Sequence, residues 1–192
     1  DPDYFVPNLD ILKYTVDKHP EISGVAWVHI GGIIRPDFQE VSEYCKSKNL
    51  FLIEDCAHAH GSQLNGVMAG NFADGGAFSF FPTKVMTTME GGMITTNNEE
   101  DANLAKSIRN QGKRGGDFGG LHSDLGNSWR INEISAYMGL VQLEKLDEMI
   151  SRRQAGVDGL IPTLEKNNIN YCSTSHMDKC AQYKFIIKYK ND

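Results

Sequence analysis

The stretch VAWVHIGGIIRPDFQEVSEYCKSKNLFLIED (residues 25–55) decides the fold. Val25 to Ile30 is a short, nearly continuous apolar run, as expected of a strand buried on both faces. Gly31 and Gly32 break it. Pro36 suits the first turn of a helix, and Phe38, Val41 and Cys45 then recur on one helical face. Leu50 to Ile53 forms a second buried strand, followed at once by Glu54 and Asp55. Strand, helix and strand within about 30 residues make a βαβ unit, so the two strands are expected to be parallel.

Further elements flank this unit. Asn8 to Lys18 carries Leu9, Leu12 and Val16 at helical spacing. Gly75 to Phe81 contains a third strand and Gly92 to Thr96 a fourth. Asn98, followed by Glu99, Glu100 and Asp101, marks a helix start, with a side-chain cap and carboxylates near the positive end of the dipole. That helix is expected to reach Asn110 with Ala102, Ala105 and Ile108 inward. Residues 112–126 hold glycines at 112, 115, 116, 119, 120 and 126 and read as a mobile loop. Asn132 caps a further helix with Ile134, Met138, Val141 and Leu146 inward, continuing with a bend to about Asn167. Tyr183 to Tyr189 reads as a last strand. The class is α/β, a mostly parallel sheet flanked by helices. Such sheets bind ligands outside the carboxyl ends of their strands, which points Asp55 and Lys84 towards one crevice.

Composition narrows the function. Of 192 residues, 40% are apolar and 23% charged, with a net charge of −6. No Lys/Arg block suggests a nucleic-acid surface, and no apolar run approaches the ~20 residues of a membrane span. No secretory signal is visible, and the chain opens at Asp1 without Met. The four cysteines, 45, 56, 172 and 180, form no CxxC pair and read as reduced thiols of a cytoplasmic protein.

Several residues could carry chemistry, each with a plainer alternative. Asp55, after four apolar residues, is either a structural ion pair or the partner of a cationic ring nitrogen or a metal. Lys84 follows an aromatic strand and precedes Glu90-Gly91-Gly92. A lysine held in a partly dry crevice becomes a nucleophile towards carbonyls, although most lysines are solvated surface charges. Ser79, five residues earlier, could bond a phosphate or be satisfied locally. Asp55, His58 and His60 could be metal ligands if residues 55–60 are extended. His29, at the end of the first strand, is expected to point into the crevice, though core histidines are common. The segment ending in LGNSWR (125–130) is either a solvated loop or one that closes on an anion.

Four motifs together resemble one family: IEDCAHAHG (53–61), FSFFPTK (78–84), EGGMITTN (90–97) and LGNSWRINE (125–133). They resemble the DegT-type sugar aminotransferases, fold-type I enzymes dependent on pyridoxal 5'-phosphate (PLP). The resemblance runs from about Val25 to Lys166. It implies a large domain like that of aspartate aminotransferase over residues 1–167, with a smaller domain beginning over 168–192. It implies a Schiff base between Lys84 and PLP, with Lys84 also moving protons. Asp55 would pair with the pyridinium nitrogen, His58 would lie near the phenolic oxygen and Ser79 would bind the phosphate. His29 would lie near substrate. The amino donor would be glutamate or glutamine and the acceptor a nucleotide-linked keto-sugar, in a homodimer with shared active sites. The family usually has Asn where Ser128 aligns, so either Asn127 or Ser128 takes the phosphate contact across the dimer. The segment 28–34 lacks an aromatic often found there. The family also carries segments at both ends that this chain lacks, so the chain alone is not expected to be active.

Three rivals accompany this reading. PLP-dependent sugar dehydratases of the same family carry His where Lys84 stands, so the lysine favours transamination. A metal-dependent hydrolase would use Asp55, His58 and His60. A non-catalytic regulator would keep the fold and the cofactor.

Overall fold

The computed structural model describes residues 1–115 and 120–188. Its centre is a four-stranded sheet of β1 (Gly24–Val28), β2 (Phe51–Asp55), β5 (Gly75–Ser79) and β6 (Gly92–Thr95), in the order β1-β2-β5-β6. The first three strands are parallel and β6 runs antiparallel to β5. The βαβ reading holds: α2 (Phe38–Ser47) connects β1 to β2 and buries Phe38, Val41 and Cys45. These pack with Trp27, Leu52 and Leu12 of α1 (Leu9–Lys18) in the main core. Register places Val28, Asp55 and Ala77 side by side at the carboxyl ends of the three parallel strands.

Polar side chains set the helix starts. Asn8 accepts from the Ile11 amide at 2.9 Å, and Asn98 from the Glu100 and Asp101 amides at the start of α3 (Glu99–Arg109). Asn132 caps α4 (Glu133–Glu144) through the Ser135 amide. The expected bend falls at Lys145, after which α5 (Leu146–Lys166) begins. Two-residue ladders complete the fold: β3 (Gln63–Leu64) with β4 (Val67–Met68), β7 (Lys113–Arg114) with β8 (Leu121–His122), and β9 (Asn170–Tyr171) with β10 (Ile187–Lys188).

Three expectations need correction. Ile134 is not inward: it lies on the first turn of α4 and is 80% exposed, while Met138 and Val141 further along are half-buried. Helix α4 is apolar around much of its girth, so periodicity could not pick its buried side. The Gly-rich stretch 112–126 is not simply a loop, since Lys113 and Arg114 pair with His122 and Leu121 as β7 and β8. Gly112 has φ 75°, and a Cβ there would overlap the Asp124 carbonyl, so this glycine serves a tight turn. Gly116 and Gly119 lie outside the described residues. The last strand begins later than Tyr183: the Tyr183 and Lys184 amides bond to the Gly31 carbonyl, and among the described residues only Ile187–Lys188 pairs with β9. Tyr189 lies outside the described residues.

Candidate active site

Asp55 ends β2, half-buried, on the face opposite Glu54. Its Oδ1 accepts from the Ala57 amide at 3.0 Å, and Oδ2 has no partner among the described residues. The chain then turns twice, with the Ala59 amide bonding to the Cys56 carbonyl and that of Ser62 to Ala59. His58 leaves the first turn towards Gly31, whose amide donates to its Nδ1 at 3.2 Å. A donor facing Nδ1 places the hydrogen of the neutral ring on Nε2. Burial lowers the His58 pKa, and the Lys84 ammonium pushes the same way against Asp55. His58 is therefore the neutral neighbour of a cation and an anion.

Lys84 lies in the turn after β5, its amide bonded to the Phe81 carbonyl at 3.0 Å, and its side chain is half-buried. Its Nζ stands 4.9 Å from the centre of the Tyr183 ring. The Tyr183 ring also meets the His58 ring, at 4.3 Å and 31° between planes, and Lys184 Nζ at 5.1 Å. The Tyr183 hydroxyl meets Thr83 Oγ1 at 2.9 Å, a hydrogen bond that lowers its pKa, with Lys84 acting in the same direction. Ser79 closes β5. Its Oγ receives only a long bond of 3.4 Å from the Phe81 amide, so the hydroxyl hydrogen is free to donate. The structure thus brings Asp55, His58, Ser79 and Lys84 to the carboxyl ends of β2 and β5. It adds Tyr183 and Thr83, which sequence reasoning missed. Thr83 and Tyr183 are 100 residues apart and share no local pattern.

Two expected site residues lie elsewhere. His29 does not reach the crevice. It is 0% exposed, its Nε2 is 2.9 Å from Glu54 Oε2, and its ring meets Phe38 edge-on at 4.7 Å. A turn begins at His29, so strand alternation no longer directs its side chain. His60 does not join Asp55 and His58 in a metal set. It is 2% exposed and packs against Phe78 and Phe80, because residues 56–62 are turns and not an extended segment. The group among the described residues that could chelate an ion is His29, Glu54 and Cys56. Its carboxylate is already saturated: Oε2 accepts from Gly70 N and meets His29, while Oε1 accepts from Phe72 N and Ala73 N. Such a cluster is a structural node and not a metal centre.

The segment 125–130 is anchored on α3. The Gln111 amide bonds to the Asn127 carbonyl and the Trp129 amide to the Arg109 carbonyl. Ser128 Oγ accepts from Arg130 at 2.9 Å, and Arg130 also reaches Asn110 at 2.6 Å. The exposed side chain of Asn127 makes no hydrogen bond among the described residues.

The family model for DegT/DnrJ/EryC1/StrS aminotransferases matches residues 1–192. The chain belongs to that family. Within it, the chain is 38% identical over 142 residues to the GDP-perosamine synthase of Escherichia coli O157:H7, covering 74% of this chain and 37% of that protein. It is 34% identical over 173 residues to the UDP-4-amino-4,6-dideoxy-N-acetyl-beta-L-altrosamine transaminase of Campylobacter jejuni, covering 87% and 45%. The chain therefore spans less than half the length of these two relatives. A DegT DnrJ EryC1 StrS aminotransferase from Brucella abortus superposes with a TM-score of 0.89 at 23% identity, over 100% of this chain and 52% of that one, a likeness of fold. The aminotransferase fold class expected from the sequence is thereby established, and the four motifs quoted above lie within the DegT match. Among the described residues no helix is long and apolar enough to cross a membrane.

Proposed function

We propose that the full-length protein is a PLP-dependent aminotransferase that moves an amino group from glutamate or glutamine to a keto group of a nucleotide-linked sugar. The observation that carries this reading is the half-buried Lys84 amine gathered with Asp55, His58 and Ser79 at the sheet's carboxyl edge, in a chain of this family. The donor set suits PLP. The amine can hold an aldehyde carbon, Asp55 keeps a free Oδ2 for a ring N–H, His58 presents Nε2–H, and the Ser79 hydroxyl can donate to a phosphate.

When bound, PLP supplies an electron sink for the carbon that loses its proton. The rest of the work falls to the protein. Lys84 Nζ would hold the cofactor and, when free, would take a proton and return it. The Asp55 charge would keep the ring nitrogen protonated. His58 stays neutral beside Lys84 and so does not compete for the proton. Asn127, whose side chain makes no hydrogen bond among the described residues, is the better candidate than the engaged Ser128 for a phosphate contact across a homodimer. Such a dimer would cover the exposed apolar residues Trp129, Ile134, Tyr137 and Leu140. Residues 1–167 would belong to the cofactor-binding domain and 168–192 to the start of a smaller one. A cytoplasmic location suits nucleotide-linked substrates.

The test is chemical trapping. The full-length protein, treated with PLP and then borohydride, should carry one covalent adduct on the Lys84 peptide, and Lys84→Ala should carry none. A labelled protein in which Lys84 is bare would sink the assignment. Glutamate or glutamine added before borohydride should abolish the label by converting the cofactor to its amine form. A label that persists with both donors would favour the non-catalytic regulator that keeps the cofactor.

A further inference from the structure

Glu54 and His29 are both 0% exposed, lie behind the candidate site and touch none of the reacting groups. A carboxylate in an apolar core is costly unless each oxygen is satisfied. Here it is satisfied by residues from separate elements. Gly70, Phe72 and Ala73 donate their amides at 2.8, 2.8 and 3.1 Å, from the turn that feeds β5. His29, just after β1, supplies the fourth contact at 2.9 Å. The same turn is tied to β6 by Thr95 Oγ1, which donates to the Gly70 carbonyl at 2.9 Å. It is packed so closely on β5 that a Cβ on Gly76 would stand 2.5 Å from Gly70 Cα. His29 is linked twice: its ring to Glu54, and its amide to the Asp55 carbonyl at 3.1 Å. The next amide, Cys56, bonds to Ala77 of β5 at 2.8 Å.

We infer that Glu54, acting through His29, is a positioning residue that fixes the main chain of Asp55 and hence the direction of its carboxylate. The inference rests on the cofactor reading for the purpose of that carboxylate, but the geometry it claims is separate. Alternation along β2 puts Glu54 on the core face and Asp55 on the site face, so one residue locks the strand end while its neighbour does the binding. Glu54→Gln keeps the volume. It turns an NH₂ towards Gly70 N–H or towards the Phe72 and Ala73 amides, leaving at least one donor unmatched.

Two readouts on the full-length protein test the idea. In amide hydrogen exchange, Glu54→Gln should speed exchange at Gly70, Phe72 and Ala73, and also at His29 and Ala57, by about tenfold or more. The amides of α2 should keep wild-type protection. In PLP titration, its affinity should fall by about tenfold, at a temperature where circular dichroism shows the variant folded. Val41→Ala is the control, since it destabilises the same core without touching the node; it should leave PLP affinity unchanged. His29→Leu keeps Glu54's three backbone donors, so it should speed exchange at Ala57 and weaken PLP binding while Gly70, Phe72 and Ala73 stay protected, which guards against a Glu54 variant that does not fold. Loosening confined to residues 70–73, with Ala57 unchanged, overturns the inference. So does an affinity loss in Val41→Ala equal to that of Glu54→Gln. If wild type fails to bind PLP while Ala57 still loosens in Glu54→Gln, the cofactor reading falls and the positioning of Asp55 stands.

Discussion

His60 packs against Phe78 and Phe80, with ring centroids 5.5 and 6.0 Å away, and is 2% exposed. Burial pulls its pKa down from 6.5 to about 4. In the unfolded chain it gains a proton as pH falls through 6.5, while the folded chain holds it neutral until about 4. The unfolded state therefore binds more protons across this window, and stability falls with pH by up to about 1.4 kcal/mol per unit. We predict that His60→Leu removes this dependence. Relative to its own value at pH 7.5, wild type should lose about 2 kcal/mol more than the variant at pH 5, measured by urea unfolding. Parallel pH profiles would refute it. This residue also shows where sequence reading stops. Asp55, Ser79 and Lys84 were legible because strand ends were legible, and an α/β sheet binds ligands there. His29 and His60 were not, because both lie in turns, where the alternation that assigns faces no longer applies.

Elements with strong local signals were read well. The α2 stripe of Phe38, Val41 and Cys45 is buried as its spacing required, and Asn98 and Asn132 cap helices as expected. The Asn98 cap satisfies two amides at 2.9 and 3.3 Å on an exposed helix end. Asn98→Ala should therefore cost about 1 kcal/mol, and Asn98→Ser should recover most of it. Thermal unfolding of the two variants checks this, and equal losses would show that the cap is not the source. The stretch 112–126 was harder. Its glycines suggested mobility, but Gly112 is required by a close contact with Asp124. That residue in turn accepts from Ser107 and pairs with Arg114 at 2.6 Å. Composition alone does not separate a glycine that permits motion from one that permits packing.

At the scale of the molecule, α4 is the unusual surface. Ile134, Tyr137, Leu140 and Leu143 are 80, 71, 61 and 56% exposed, and Trp129 and Leu125, in the segment that leads into the helix, are 66 and 97% exposed. Single exposed apolar side chains are ordinary, but this many on one helix and its approach are expected to be covered in the working assembly. The periodicity of α4 could not reveal this, since a helix that is apolar around much of its girth marks no single face, and none of its residues is fully buried. The full-length protein is therefore expected to be a dimer in solution, with α4 at the contact. Leu140→Glu places a charge in that contact and should shift the mass measured by light scattering to that of a monomer, with an unchanged circular dichroism spectrum. Because Asn127 lies on the segment that leads into α4, the same variant should also bind PLP more weakly if the phosphate is held across the dimer. A monomer with full PLP affinity would keep the interface and discard the shared site. A dimer that tolerates Glu at 140 would place the contact elsewhere.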